Sequence, residues 1–189
     1  MAVEIVYETH ATTTDNEAGI ATGWLPGRLS PLGRRQAVEL GERRRDGGFA
    51  AVFVSDLRRA VETARLAFPD GRPPVHQDVR LRECHYGELD GGPAARVAAR
   101  RARHLDEPFP GGGQSYRQVL LATAEFLRNL AAERDGTRIL VIAHSANRWA
   151  LDCLLAGARP EDLAVVPPAW RPGWYYTLTA DGPTAPGDG

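Results

Sequence analysis

The chain has 189 residues, 43% of them hydrophobic and 25% charged, with a formal net charge of −1. That is enough for one domain with a sizeable core, and it excludes wholesale disorder and any overall electrostatic pull toward nucleic acid or an anionic membrane. Cys84 and Cys153 belong to no Cys-x-x-Cys or Cys/His cluster, the first residues lack a signal-peptide profile and no apolar run reaches the ~18 residues of a membrane span, so a cytoplasmic protein with reduced thiols is expected, without a zinc site or a disulfide framework.

Taken in chain order, Val3-Glu4-Ile5-Val6-Tyr7 reads as a short buried strand. His10 then stands at the strand's carboxyl end, where ligands collect in open α/β sheets, although a lone histidine there more often serves a structural hydrogen bond than catalysis. Residues 11–29 are rich in Thr, Asp, Asn, Gly and Pro and read as a long loop across the strand mouth. Ser30-Pro31 supplies an N-cap and a first-turn proline, opening a helix that ends near Asp46-Gly47-Gly48. A strand over 49–55, a helix over 57–68 and a short strand over 74–79 continue the alternation. A run of arginines, Arg96, Arg100, Arg101 and Arg103, lies on an expected helix over 94–104 between two glycine-rich breaks. A solvated helix face is the plainer reading of that run, and a cap or lid over residues 92–114 is the alternative. Residues 115–134 form a long amphipathic helix, 138–143 the clearest buried strand, 146–156 a further helix and 174–179 a late strand. Strands interleaved with helices imply an α/β fold, a three-layer α/β/α sandwich with a mostly parallel sheet, as a single domain over 1–180 followed by a flexible tail over 181–189.

Four separated segments fall at expected strand ends or in the loops after them: His10; Ser55-Asp56-Leu57-Arg58-Arg59; Leu81-Arg82-Glu83; and Ala143-His144-Ser145. Two histidines, an arginine and a carboxylate converging on one crevice can bind a phosphate and exchange a proton with it. A metal site made from His10, His144 and Glu83 is possible by residue type but lacks any His-x-x-x-His or similar spacing, so no metal and no cofactor are expected.

In order along the chain, Thr9-His10-Ala11, Leu29-Ser30-Pro31-Leu32-Gly33-Arg34-Arg35-Gln36-Ala37, Ser55-Asp56-Leu57-Arg58-Arg59-Ala60-Val61-Glu62-Thr63-Ala64, Leu81-Arg82-Glu83-Cys84-His85-Tyr86-Gly87, Pro110-Gly111-Gly112-Gly113-Gln114-Ser115 and Val141-Ile142-Ala143-His144-Ser145 together resemble the histidine phosphatase superfamily, the phosphoglycerate-mutase-like fold. The resemblance covers most of residues 3–179. It implies that His10 is the nucleophile and forms a phosphohistidine, that Arg59 and His144 hold phosphoryl oxygens, and that Glu83 is the proton donor to the leaving oxygen. A neutral imidazole can attack phosphorus while cationic neighbours stabilise the equatorial oxygens. A carboxyl group can donate at neutral pH when burial or a neighbouring anion raises its pKa.

The chain departs from the family's Arg-His-Gly, which reads Thr9-His10-Ala11 here. Thr9 replaces a forked cationic phosphate contact with one neutral hydroxyl, a loss on the order of a hundredfold in rate. Ser145 stands where the family has a glycine after the second histidine. Arg148, one turn into the following helix, is the first choice to compensate, with pairing to a surface carboxylate as the equal alternative; Arg28, Arg58 and Arg82 flank other motifs. Glu8 would repel a phosphate unless an arginine pairs with it, and such a pair would also suit a less charged substrate. Thr13 and Asn16, in the loop after His10, are candidate ligand contacts, with loop hydrogen bonding as the default.

The expected function is therefore hydrolysis of a small soluble phosphate ester. The alternatives are acid/base chemistry on a non-phosphate or less charged substrate in the same pocket, and a catalytically weak binding protein of the same fold. No nucleic-acid or membrane partner is expected, and the oligomeric state, a homodimer included, is left open.

Overall fold

The computed structural model describes residues 1–165 and 171–183. Five strands, β1 (Ala2–Thr9), β2 (Ala51–Val54), β3 (Val75–Gln77), β4 (Arg138–Ala143) and β5 (Trp174–Thr179), form one sheet in the order β3-β2-β4-β1-β5. All neighbouring pairs are parallel except β1 with the edge strand β5. The helices are α1 (Thr14–Glu17), α2 (Pro31–Arg44), α3 (Arg58–Ala67), α4 (Ala94–Arg100), α5 (Tyr116–Glu133), α6 (Ser145–Ala156) and α7 (Pro160–Val165). The expected sandwich is what forms.

The two faces of β1 separate by the strand's period of two. Val3, Ile5 and Tyr7 pack with Leu127, Leu130, Ala150 and Leu154 of α5 and α6, while Val6 packs with Leu40, Ala64 and Phe68 beside α2 and α3. Glu8 continues the second face and Thr9 the first. A third cluster, in which Val97 and Phe109 meet Tyr86, Tyr116 and Trp149, covers the carboxyl end of the sheet.

Local chemistry accounts for the main boundaries. Ser30 accepts the Gly33 N–H ahead of Pro31 at N1, and Ser115 makes a capping box with Gln118 that starts α5. Three expectations need correction. Residues 94–104 are not one helix: α4 stops at Arg100 and residues 101–104 tighten into a 3₁₀ turn, which lets His104 stack on Phe109 at 4.0 Å. The loop over 11–29 contains α1, closed by a capping box between Thr13 and Asn16. The strand over 49–55 pairs only from Ala51 to Val54. The expected tail falls outside the described residues from 184 onward.

The segment considered as a lid is stitched to the loop after His10 by Ala21 N–H to Gly92 O at 2.9 Å, Gly91 N–H to Ala21 O at 2.8 Å and Ala94 N–H to Gly19 O at 2.8 Å. Among the described residues no helix is long and apolar enough to cross a membrane.

Candidate active site

Parallel β1 and β4 end side by side, with Thr9 opposite Ala143, and the next residue of each is a histidine. The His10 amide donates to Ala143 O at 2.9 Å, and the two imidazole centroids lie 5.1 Å apart. His10 Nδ1 lies 2.8 Å from Ala11 O. A carbonyl only accepts, so Nδ1 carries the proton and Nε2 keeps its lone pair. Arg59 Nε–H points at that lone pair from 3.2 Å. Burial and the Arg59 charge push the His10 pKa down to about 3, so the ring is neutral throughout the physiological range.

Arg59, in the first turn of α3, is buried, and its outer nitrogens reach the loop carbonyls of Gly23 at 2.9 Å and Leu25 at 3.5 Å. Gly23 has φ +53°, and a Cβ there would sit 1.7 Å from the Asp90 carboxylate, so only glycine lets the loop pass under the arginine. Thr63, one turn along α3, donates to Arg59 O at 2.7 Å and accepts the Ala11 N–H at 3.1 Å. One hydroxyl thereby ties the backbone after His10 to the arginine beside it.

His144 is fully buried, with Nε2 2.6 Å from Ser55 Oγ, which also accepts the Leu57 N–H at 3.2 Å. The hydroxyl can accept that N–H while donating its own proton to Nε2, an arrangement that places the ring proton on Nδ1. Burial, with Arg59 and His10 nearby, holds the His144 pKa well below its usual value, so this ring acts as a neutral donor. Tyr7 donates to His144 O, and Asn147 Oδ1 accepts the His144 amide at 3.3 Å while its Nδ2 reaches Arg82 O at 3.2 Å.

The Glu83 carboxylate is buried and accepts the Cys84 amide at 2.8 Å. Burial raises its pKa against the opposing pull of the Cys84 amide, the Arg59 charge, the Ala146 amide and the Tyr86 hydroxyl. A carboxyl group in this position retains its proton above the normal range. Trp24 Nε1–H anchors the same residue through Glu83 O at 2.6 Å.

A cavity of about 470 Å³ opens beside His10, lined by Glu8, Thr9, Asn16, Ser145, Arg148 and Trp174 among others. Of His10, Arg59, Glu83 and His144, His10 alone is on its wall. Thr9, Asn16, Ser145 and Arg148 are thus brought together around His10. Thr13 is not on the wall: it is fully buried and its hydroxyl caps α1 by accepting the Asn16 amide at 3.0 Å. Arg28 and Arg58 are exposed, and Arg82 commits its fork to Asp56 at 2.7 and 2.5 Å with its guanidinium 4.7 Å over Trp24. Glu8 is neutralised: its Oε1 takes Arg44 Nε at 2.8 Å, Arg44 Nη2 at 2.6 Å and Arg43 Nη2 at 3.2 Å. That pairing removes the repulsion a free Glu8 would exert on a phosphate. Sequence reasoning missed Ser55, Thr63, Tyr7, Tyr86 and Asn147 as supports, although Ser55 and Thr63 lie within the motifs quoted for Arg59. Among the described residues no three His, Cys, Asp or Glu side chains gather as metal ligands.

The family model for the histidine phosphatase superfamily (branch 1) matches residues 9–169. A metal-independent phosphoserine phosphatase of Arabidopsis thaliana is 34% identical over 152 residues, covering 75% of this chain and 63% of that protein, so the chain spans less than two thirds of that relative. A 2,3-bisphosphoglycerate-dependent phosphoglycerate mutase of Gloeobacter violaceus is 33% identical, covering 86% of this chain and 80% of the mutase. Among solved structures, a mycobacterial glucosyl-3-phosphoglycerate phosphatase in complex with VO3 superposes with a TM-score of 0.75 at 28% identity, covering 86% of each chain.

Proposed function

Because the chain belongs to the histidine phosphatase superfamily, we propose that it hydrolyses a small phosphate monoester through a phosphohistidine at His10. The observation that carries this reading is the pinned imidazole: Nδ1 is held by Ala11 O at 2.8 Å, and Nε2 is unprotonated 3.2 Å from Arg59. In the first step the Nε2 lone pair forms the N–P bond as the P–O bond to the leaving group breaks, and Glu83 transfers its proton to the departing oxygen. Arg59 and the His144 Nδ1–H stabilise charge on the equatorial oxygens. In the second step water attacks phosphorus, ionised Glu83 takes its proton, and the N–P bond electrons return to His10. Hydrolysis is favoured over mutase chemistry because only a short segment, residues 84–114, separates Glu83 from α5 and leaves little protein to enclose and re-orient an intermediate.

Phosphoserine and phosphoglycerate esters are the first substrates to test, given the names of the relatives. The free thiols of Cys84 and Cys153 support a reducing compartment, and we place the reaction in the cytoplasm. Incubation with a phosphate ester followed by an alkaline quench is expected to give a phosphoryl adduct on the His10 peptide by mass spectrometry, and phosphate release is expected to vanish in His10→Ala. A broad ester panel yielding neither adduct nor release would overturn the reading.

A further inference from the structure

We propose that Arg148 supplies, from helix α6, the guanidinium contact to the transferred phosphoryl group that position 9 of β1 does not. The inference rests on the phosphohistidine reading above. Its geometric basis is the face that Thr9 shares with Tyr7. Trp174 of β5 is the register partner of Tyr7, and the two rings meet edge to face at 6.3 Å. Arg148 Cζ lies 5.3 Å over that same Trp174 ring, and Arg148 lines the cavity together with Thr9, His10 and Ser145. The guanidinium therefore occupies the side of the sheet to which an arginine at position 9 would extend.

A surface ion pair does not describe Arg148. Its side chain is 5% exposed. Nη1 donates to Asp152 Oδ2 at 2.6 Å, and Asp152 Oδ1 accepts the Tyr176 hydroxyl at 2.6 Å. This Tyr176–Asp152–Arg148 chain fixes one edge of the fork, with Trp174 against its face. Among the described residues Nη2 is buried with no hydrogen-bond partner. An unpaired buried guanidinium N–H is costly, and such a group calls for a ligand that satisfies it. Arg148 also lies one turn beyond His144, its amide donating to His144 O at 3.1 Å. Its donor and the first turn of the twelve-residue α6 thus favour an anion at the same place. Asp152 offsets part of the arginine's charge, so the contact is weaker than that of a free arginine, and the expected contribution is on the order of tenfold to a hundredfold in rate.

The test uses the full chain with p-nitrophenyl phosphate as substrate and orthovanadate as inhibitor. Arg148→Ala is expected to lower kcat/KM by about ten- to a hundredfold and to weaken orthovanadate inhibition by a similar factor. Adding Thr9→Arg to Arg148→Ala, or supplying free guanidinium ion to the single variant, is expected to recover at least part of both losses. Recovery by either route supports the proposal, since neither restores packing lost on α6. Arg148→Ala within threefold of the parent in both readouts overturns it, and so does a loss that neither route recovers. His10→Ala with undiminished phosphate release would instead overturn the phosphohistidine reading, which the Arg148 comparison does not decide.

Discussion

A carboxyl group that must give up a proton near neutral pH needs a reason to hold one, and for Glu83 burial is that reason. His10, with its pKa pushed down to about 3, stays unprotonated far below neutrality and contributes no limb to the pH profile above that range. The expected profile for an alkyl phosphate therefore falls on the alkaline side, as Glu83 ionises. In Glu83→Gln that limb should flatten and kcat/KM should drop by about a hundredfold or more for an alkyl ester, but less for p-nitrophenyl phosphate, whose leaving group needs little protonation. Steady-state rates from pH 5 to 9 on both esters check this. An alkaline limb that persists in Glu83→Gln would assign it to another group. His10, Arg59, Glu83 and His144 were legible as candidates because each falls in a motif that begins at the end of a strand or in the loop after it. The hydroxyls of Ser55 and Thr63 were not legible as supports: which ring or amide a short side chain reaches is decided by packing between elements far apart in sequence.

At the scale of elements, α2 is placed by its first turn. Ser30 caps it, Gln36 Oε1 accepts the Thr12 amide at 3.0 Å, and Gly33 packs so closely that a Cβ there would lie 1.8 Å from Thr12 O. Thr12 is two residues from His10, so a shift of α2 moves the loop after His10. Gly33→Ala gains roughly 1 kcal/mol of helix propensity, but contact with backbone at that distance costs up to about 3 kcal/mol. A net loss of about 2 kcal/mol in urea unfolding is expected, with a larger fractional fall in kcat than the folded population explains. An unchanged midpoint would show that the loop yields freely. The α2 start was readable because Ser-Pro is a local signal. The break at Arg100 was not, because the 3₁₀ turn after it serves the stacking of His104 on Phe109, a tertiary contact.

For the whole molecule, two neutral buried imidazoles link folding to pH. In the unfolded chain a histidine titrates near its ordinary 6.5, whereas folded His10 titrates at about 3 and His144 well below 6.5. Below pH 6.5 the unfolded state therefore binds more protons, and stability declines as pH falls toward 3. Chemical denaturation at pH 7, 5.5 and 4.5 should show that decline, and His10→Asn should reduce its slope; an equal slope in both proteins would assign the proton uptake elsewhere. The sandwich and its parallel sheet were readable from alternating strands and helices, whereas the bond from Arg44, which pairs with Glu8, to the Tyr175 hydroxyl joins α2 to the last strand and required the folded register.

Arg59 donates to three atoms of its own chain: His10 Nε2, Gly23 O and Leu25 O. An incoming phosphoryl group competes with these internal acceptors, and the same acceptors are ready to re-engage the guanidinium when phosphate departs. On the proposed phosphatase reading, product dissociation leaves no bare cation behind, which would hold down phosphate affinity and favour repeated turnover over product inhibition.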